Sequence, residues 1–353
     1  MNFINKIKNL KLILREIRYF KNLIKKYGII LKKGKYRLFP SRRAVVLENK
    51  YSIEKATPYF SKNIKKYKLL IFIELLNKLG YFRNANRNSY EEYEAIYSAN
   101  NFDKVRELKF FSFERKEILT ICTSRDKFLK QLSEYEQLNG CFNMPKLINN
   151  EKYDNSFIIS MVNLLPRPDE QETLKEIICC TTKFNNEKKI TNKKKNISDI
   201  MTFNYNEDIN AILLELSNFI SKENSSLEIE TCMTHGDLSR DNLIYGNSCD
   251  KEGFWWIDWE HKGERVFFYD FFFYILNMAF CYSDKTALNL YLIGQCDECL
   301  SNFFMQFGLC YDIKYRRDYF IIYTIEFLKE RVCETNNIIA LKEYFDFIKE
   351  IIF

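Results

Sequence analysis

A chain of 353 residues can form two compact units, each with its own core, and a content of 46% hydrophobic and 16% aromatic residues excludes a disordered chain. The formal charge of +7 is unevenly spread: residues 1–50 hold fifteen Lys or Arg against Glu16 and Glu48, so that stretch carries +13 and the remainder −6. A basic arm on a mildly acidic body points to an anionic surface as the arm's partner.

In chain order, residues 1–27 place Phe3, Ile7, Leu10, Leu14, Ile17, Phe20, Ile24 and Tyr27 on one helical stripe, with lysines and arginines on the other faces. Two readings stand: an interfacial helix lying on anionic lipid, or a helix packed on the body with a solvated basic face. The apolar stripe argues against nucleic acid as partner. A strand is expected at Ala44 to Leu47 and a second helix at 61–79, ended by Gly80.

From about residue 90 the pattern turns to strands: Tyr93 to Ser98, Arg106 to Phe113 and Ile118 to Thr123, the last two joined by the polar turn Glu114–Glu117. A helix follows, with Phe128, Leu129, Leu132, Tyr135 and Leu138 on one side, and then a buried strand, Phe157 to Val162. Strand, strand, helix, strand is a small α+β lobe. Met161 is a candidate wall of a nucleotide-base pocket, with an ordinary core position as the alternative. Pro166-Arg167-Pro168 marks a hinge or linker. Residues 183–198, rich in Lys and Asn, read as an exposed insertion, 207–222 as a helix, and 266–353 as mainly helical. The domain reading is a basic helical extension over 1–88, an α+β lobe over 89–165 and a larger helical lobe over 166–353.

Eleven scattered cysteines, an odd number with no secretory signal ahead of them, predict free thiols in a reducing cytoplasm. Cys296 and Cys299 form a lone CxxC, and a zinc site needs two more ligands that the chain does not offer nearby. The most apolar run, Val266 to Tyr282, is broken by Asp270 and Asn277 and is short for a bilayer, so a buried helix is expected. The expected location is cytoplasmic, with peripheral contact at the inner membrane face through residues 1–27.

The chemistry is concentrated between Thr234 and Asp258: Thr-His-Gly-Asp-Leu-Ser-Arg-Asp-Asn-Leu-Ile-Tyr, a polar turn, then Phe-Trp-Trp-Ile-Asp followed by Trp-Glu. Phosphoryl transfer needs a carboxylate beside the attacking hydroxyl and hard oxygen ligands for Mg²⁺ on the phosphates. Asp237 and Asn242 lie five residues apart on a loop anchored by Leu238, and Leu243 to Tyr245 enters a strand whose hairpin partner, Phe254 to Ile257, ends at Asp258. Three oxygen-donor side chains thus converge from two adjacent strand ends. Taken singly, Asp237 and Asn242 are also turn formers and Asp258 a strand terminus.

The His-Gly-Asp-Leu-x-x-x-Asn loop followed by Ile-Asp-Trp-Glu is similar to that of the aminoglycoside phosphotransferase and choline kinase superfamily, a counterpart of the protein-kinase catalytic loop and metal-binding Asp. The resemblance covers about residues 95–280 and is strongest over 234–270. It implies an α+β, protein-kinase-like two-lobed fold: a small N-lobe of antiparallel sheet plus helix, a larger mainly helical C-lobe, and here an extra N-terminal helical extension. It implies ATP and Mg²⁺, with Asp237 as base, Asn242 and Asp258 as metal ligands, Asp270 bracing the loop backbone, and His235 packed below it. Such enzymes hold the phosphates with a strand Lys paired to a helix Glu. Glu134 suits the helix position, but Ile118 to Thr123 contains no Lys, and Lys109 on the preceding strand is the expected substitute, with a solvated edge Lys as the alternative. Residues 95–115 contain no glycine, so a Gly-rich loop is missing too. Arg240 is a candidate for the charge facing the transferring phosphoryl group, with a salt bridge to Asp241 as the alternative.

The acceptor is less legible. Glu260, Glu264, Asp297 and Glu298 are candidate carboxylates for a cationic acceptor, and Phe267, Phe268, Phe271, Phe272, Tyr274, Phe280 and Tyr282 read as core or pocket. The stretch Arg37 to Gly80 looks like extensions on superfamily members of bacterial surface-polysaccharide clusters, which favours a sugar or lipid-linked glycan hydroxyl. Aminoglycoside or choline phosphorylation, and a catalytically silent membrane- or partner-binding module, are the alternatives.

Overall fold

The computed structural model describes residues 31–39, 44–60, 82–84, 93–99, 107–138, 140–150, 153–188, 193–224, 227–333 and 338–352. The expected helices at 1–27 and 61–79 lie outside them, as does the membrane contact assigned to the first. The chain divides into two compact units: residues 1–137, 145–164 and 247–252, and residues 138–144, 165–246 and 253–353.

Among the described residues the first unit is an antiparallel sheet with two helices, and its strands are β1 (Gly34–Phe39), β2 (Ala44–Leu47), β3 (Phe82–Asn84), β4 (Ala95–Ala99), β5 (Glu107–Ser112), β6 (Glu117–Cys122), β7 (Leu147–Asn150), β8 (Ser156–Ser160) and the short β9 (Asn163–Leu164). Eight of them form one sheet in the order β3-β1-β2-β4-β5-β6-β8-β7. Sequence reasoning places one strand before residue 89; the sheet takes β1 and β3 as well, so the N-terminal segment contributes strands as well as helix to the fold. Short segments such as Gly34–Phe39, with Lys and Arg between the apolar residues, carry little strand signal until an edge is there to pair with.

Helix α1 (Lys50–Phe60) is capped by Asn49, whose Oδ1 accepts from Ser52 N at 2.7 Å, and α2 (Arg125–Leu138) by Ser124, whose Oγ accepts from Lys127 N at 3.2 Å. Ala56 and Phe60 of α1 join Val46, Ala95, Phe111 and Met161 in one apolar cluster. Phe128 of α2 packs with Cys122, Phe157 and Ile159, backed by Leu132 and Tyr135. Leu129, expected on that face, is 48% exposed, because one residue beyond Phe128 lies about 100° further round the helix.

The second unit is mainly helical: α3 (Glu170–Lys188), α4 (Ile197–Ile200), α5 (Glu207–Ser217), α6 (Tyr269–Cys281), α7 (Thr286–Leu292), α8 (Asp297–Gln306), α9 (Arg316–Leu328) and α10 (Ile338–Ile352). Its further strands are β10 (Lys194–Asn196), β11 (Glu228–Thr234), β14 (Gly263–Val266) and the larger parts of β12 (Leu243–Ser248) and β13 (Lys251–Trp256), with β10-β11-β14 forming a small antiparallel sheet. The α+β class, with a sheet-and-helix unit and a mainly helical unit, is the organisation expected above. Residues 183–198 are corrected: they hold the end of α3, then β10 and the start of α4, rather than a plain insertion. Leu174, Ile177, Ile178, Thr181 and Phe184 are buried at helical spacing, and Asp169 Oδ1 accepts from Glu172 N at 2.8 Å. Asp followed three residues later by Glu was a helix-start signal hidden by the Lys/Asn composition.

α6 and α9 form the centre of this unit; every residue from Tyr269 to Leu276, and every one from Asp318 to Leu328, is buried. Phe267 stacks on Phe307 at 4.3 Å, and Phe272 meets Tyr291 edge-on at 5.1 Å. The ten cysteines whose side chains are described are free thiols. No described helix is long and apolar enough to cross a membrane.

Candidate active site

β11 delivers the chain to the loop that begins at His235. Gly236 turns it with φ +76°, and a Cβ there would collide with the His261 carbonyl and the Arg265 guanidinium, so only glycine serves. Asp270, in the first turn of α6, holds the turn from below: His235 N donates to its Oδ2 at 2.6 Å and Gly236 N to its Oδ1 at 2.9 Å. Complete burial pushes the Asp270 carboxyl up to about 6 against those two backbone bonds. The bracing role that the resemblance implies for Asp270 matches these bonds.

His235 is fully buried under the loop. Its Nε2 lies 2.9 Å from Ile257 O and must donate there, leaving Nδ1 to accept from Asp237 N at 3.3 Å. Burial lowers the imidazole to about 4, so the ring is a neutral spacer, packed 4.6 Å from the Trp259 ring.

Asn242 ties the loop to itself: its Nδ2 donates to Asp237 O at 2.8 Å and to Asp237 Oδ2 at 3.1 Å. Its carbonyl accepts from Ile257 N at 2.9 Å, which brings the next residue, Asp258, to the same end of the β12–β13 hairpin. Asp258 is exposed and left-handed, φ +63° and ψ +62°, a costly conformation for a non-glycine residue and one that concentrates at functional sites. Burial raises the Asp237 carboxyl to about 6; Arg331 and the Asn242 bond oppose the rise, while Asp258 and Glu260 add to it. The structure therefore brings Asp237, Asn242 and Asp258 together. Because the Asn242 amide nitrogen is committed to Asp237, its Oδ1 remains as a hard oxygen beside two carboxylates that repel each other, a donor set that fits Mg²⁺. Arg240 sits exposed at the outer edge of the loop, its carbonyl accepting from Arg167 Nη1 at 3.4 Å.

Two residues that the motif did not reveal complete the loop's support. Between α9 and α10, Lys329–Cys333 form a π-type turn. From it, Arg331 donates to Gly236 O at 2.5 Å and to His261 Nδ1 at 3.0 Å. Arg265 donates through Nη1 to Thr234 Oγ1 at 2.9 Å and pairs through Nε with Glu330 at 2.6 Å.

Beside Asp237 lies a cavity of about 280 Å³. α6 contributes Phe273, Leu276 and Asn277 to its wall, and α9 contributes Tyr323 and Phe327. Arg331 and Tyr344 of α10 close it. Sequence reasoning considered the neighbours Phe271, Phe272 and Tyr274, which are core; the overlooked signals were an amide at i, i+3, i+4 spacing in Phe273-Leu276-Asn277 and the four-residue steps Tyr323-Phe327-Arg331.

In the sheet unit, Lys109 on β5 stands opposite Thr120 of β6 and Tyr97 of β4. Its Nζ lies 3.0 Å from the buried Glu107, which also receives Gln131 Nε2 at 2.8 Å and faces Lys127 at 3.4 Å. Burial alone would raise the Glu107 carboxyl, but Lys109 and Lys127 hold it at about 2. Glu107 was not among the sequence candidates. Glu134 is buried on α2, and Met161 is buried in the apolar cluster with Phe60 and Phe111.

No known family model matches the sequence, and no curated protein matches it. Among solved structures, the chain is similar to a choline/ethanolamine kinase family protein from Mesorhizobium loti, with 10% identity, a TM-score of 0.42, and 70% of this chain and 85% of that one covered. It is similar to the aminoglycoside phosphotransferase APH(4)-Ia, with 12% identity, a TM-score of 0.43 and coverage of 80% and 98%. It is also similar to the choline kinase LicA from Streptococcus pneumoniae, with 11% identity, a TM-score of 0.38 and coverage of 78% and 98%. These are the families whose loop the sequence resembles.

Proposed function

We propose that this protein is a phosphotransferase that moves the terminal phosphoryl group of ATP to a hydroxyl of a small molecule, a sugar or the sugar end of a glycan. The observation that supports this most directly is the Asp237–Asn242 hydrogen bond beside Asp258, at the edge of a cavity that Asp237 itself lines. Asp237 accepts the acceptor's hydroxyl proton; the acceptor oxygen bonds to the terminal phosphorus as the bridging P–O bond breaks, and ADP leaves. Asn242 and Asp258 would hold Mg²⁺, which when bound neutralises charge on the phosphates. Asp270, Arg331 and Gly236 keep the base in register by fixing the backbone on either side of it. Lys109, opposite Thr120, takes the phosphate-facing role of the absent strand Lys, with Glu134 as the helix acid, while Met161 belongs to the apolar core. Arg240 supplies positive charge at the loop's outer edge. Handling of an envelope polysaccharide at the cytoplasmic membrane face, through residues 1–27, extends the same reading.

The test is a phosphotransfer assay with Mg-ATP against sugars, aminoglycosides and choline. Asp237→Asn should lower the rate by roughly 10²–10⁴-fold with an unchanged circular dichroism spectrum. Transfer at the parental rate would show that Asp237 is not the base. The second reading, a silent binding module, is favoured by the absence of a Lys from the strand Glu117–Cys122. It would be adopted if Mg-ATP at millimolar concentration left the melting temperature unmoved.

A further inference from the structure

The cavity beside Asp237 is more selective than its size alone implies. At about 280 Å³ it falls just below the range of roughly 300–1,000 Å³ common to small-molecule sites, which leaves room for one ring rather than several. Its wall carries a single carboxylate, that of Asp237, and a single guanidinium, that of Arg331. The acidic residues that would suit a cationic acceptor are elsewhere. Asp297 is bound to Arg316 and to Tyr311, and Glu264 to Thr231 and Lys193. Glu260 belongs to the turn after Asp258, and neither it nor Glu298 lines the cavity.

Two wall residues carry buried polar atoms without a hydrogen-bond partner among the described residues: the hydroxyl of Tyr323, a fully buried side chain, and Oδ1 of Asn277, whose Nδ2 donates to Cys281 Sγ at 3.6 Å. A buried polar atom left unpaired is costly, so a ligand that pairs both is favoured over one that pairs neither. Asn277 Oδ1 only accepts, and Tyr323 both donates and accepts. Neighbouring hydroxyls satisfy that pair. A quaternary ammonium has no N–H or O–H at its charged centre and satisfies neither. The aromatic faces of Phe273 and Phe327 suit either the carbon face of a sugar ring or a cation. Arg331 breaks the tie, because a cation placed there meets a like charge in a site of low dielectric.

Building on the phosphotransferase reading, we infer that the acceptor is a single polyhydroxylated ring, neutral or anionic, whose hydroxyls pair with Tyr323 and Asn277 and whose anionic substituent, where present, faces Arg331. Amino sugars and choline, whose cations meet Arg331 there, bind the same wall less tightly.

The experiment uses the full chain and four probes, glucose, glucuronate, glucosamine and choline, with binding read by saturation-transfer NMR and titration calorimetry at pH 7, with and without Mg-ATP. Glucose and glucuronate should bind, with glucosamine and choline at least about tenfold weaker, a difference of about 1.4 kcal/mol. Tyr323→Phe and Asn277→Ala should each weaken sugar binding about fivefold or more without changing the Mg-ATP signal. Arg331→Gln should remove the preference for glucuronate over glucose, and Arg331→Lys should keep it. Glucosamine or choline binding as tightly as glucose would overturn the inference. So would unchanged sugar affinity in Tyr323→Phe, a variant that removes one oxygen and no packing. Absence of binding by either sugar to a folded protein that responds to Mg-ATP would overturn it as well. Sugar binding with no Mg-ATP response and no transfer would uphold the acceptor class while removing the phosphotransferase reading.

Discussion

Between His235 and Asn242 the groups that fix the backbone are engaged: Asp270 holds two backbone N–H groups, Arg331 the Gly236 carbonyl, Asn242 the Asp237 carboxylate, and His235 two backbone groups. A helix turn away, the cavity wall is aromatic, and Tyr323 and Asn277 present polar atoms without partners among the described residues. Groups that must hold a geometry are saturated by the protein, while groups that must recognise a ligand are left for the ligand to satisfy. Substitutions in the loop should therefore cost stability, and substitutions in the wall should cost binding.

The largest expected break of that contrast is Gly236→Ala. Its methyl group meets a backbone carbonyl and a held guanidinium at a positive φ, so unfolding free energy should fall by about 3 kcal/mol, with transfer lost. Chemical denaturation measures it, and a parental midpoint would mean that the loop is not rigidly held.

Glu107 sharpens the comparison from the sheet unit, where a carboxylate is saturated by Lys109, Lys127 and Gln131. Its folded value, about 2, lies below the unfolded value of 4.5. Its contribution is thus fully present above about pH 5 and is lost as pH falls toward 2. Glu107→Gln should be less stable at pH 7 by roughly 2–3 kcal/mol and should lack this part of the acid-induced loss. Parallel stability curves for the two proteins between pH 5 and 2.5 would refute the assignment.

The smallest effect is the most diagnostic. Tyr323→Phe removes a buried hydroxyl with no partner, so the free protein should be as stable as the parent or about 1 kcal/mol more stable. A drop of more than about 1 kcal/mol in the same denaturation experiment would mean that the hydroxyl serves the fold.

The loop was legible because its chemistry is local. Asp237, Asn242 and Leu238 lie within six residues, and Asp258 returns through a hairpin closed by Cys249 and Asp250, both with positive φ. Strands β4 to β6 and β8 could be read from alternating β-branched and aromatic residues, and Ile209, Leu213 and Leu216 marked α5. α3 ends in the Lys- and Asn-rich segment that reads as an insertion, and β1 and β3 are short strands that owe their conformation to the neighbours they pair with.

What the residue order determined by itself is the reacting group: a carboxylate and an amide at fixed spacing on one loop, with a second acid at the end of a two-stranded turn, since backbone geometry over so few residues leaves little freedom. What only the folded chain decided is the surrounding selection. Asp270, Arg265, Arg331, Tyr323 and Asn277 come from α6, α9, β14 and the π-type turn, and Arg331 lies 95 positions from the Gly236 carbonyl it bonds. Their meeting is set by the packing of buried helices, whose large aromatic side chains read from sequence only as core.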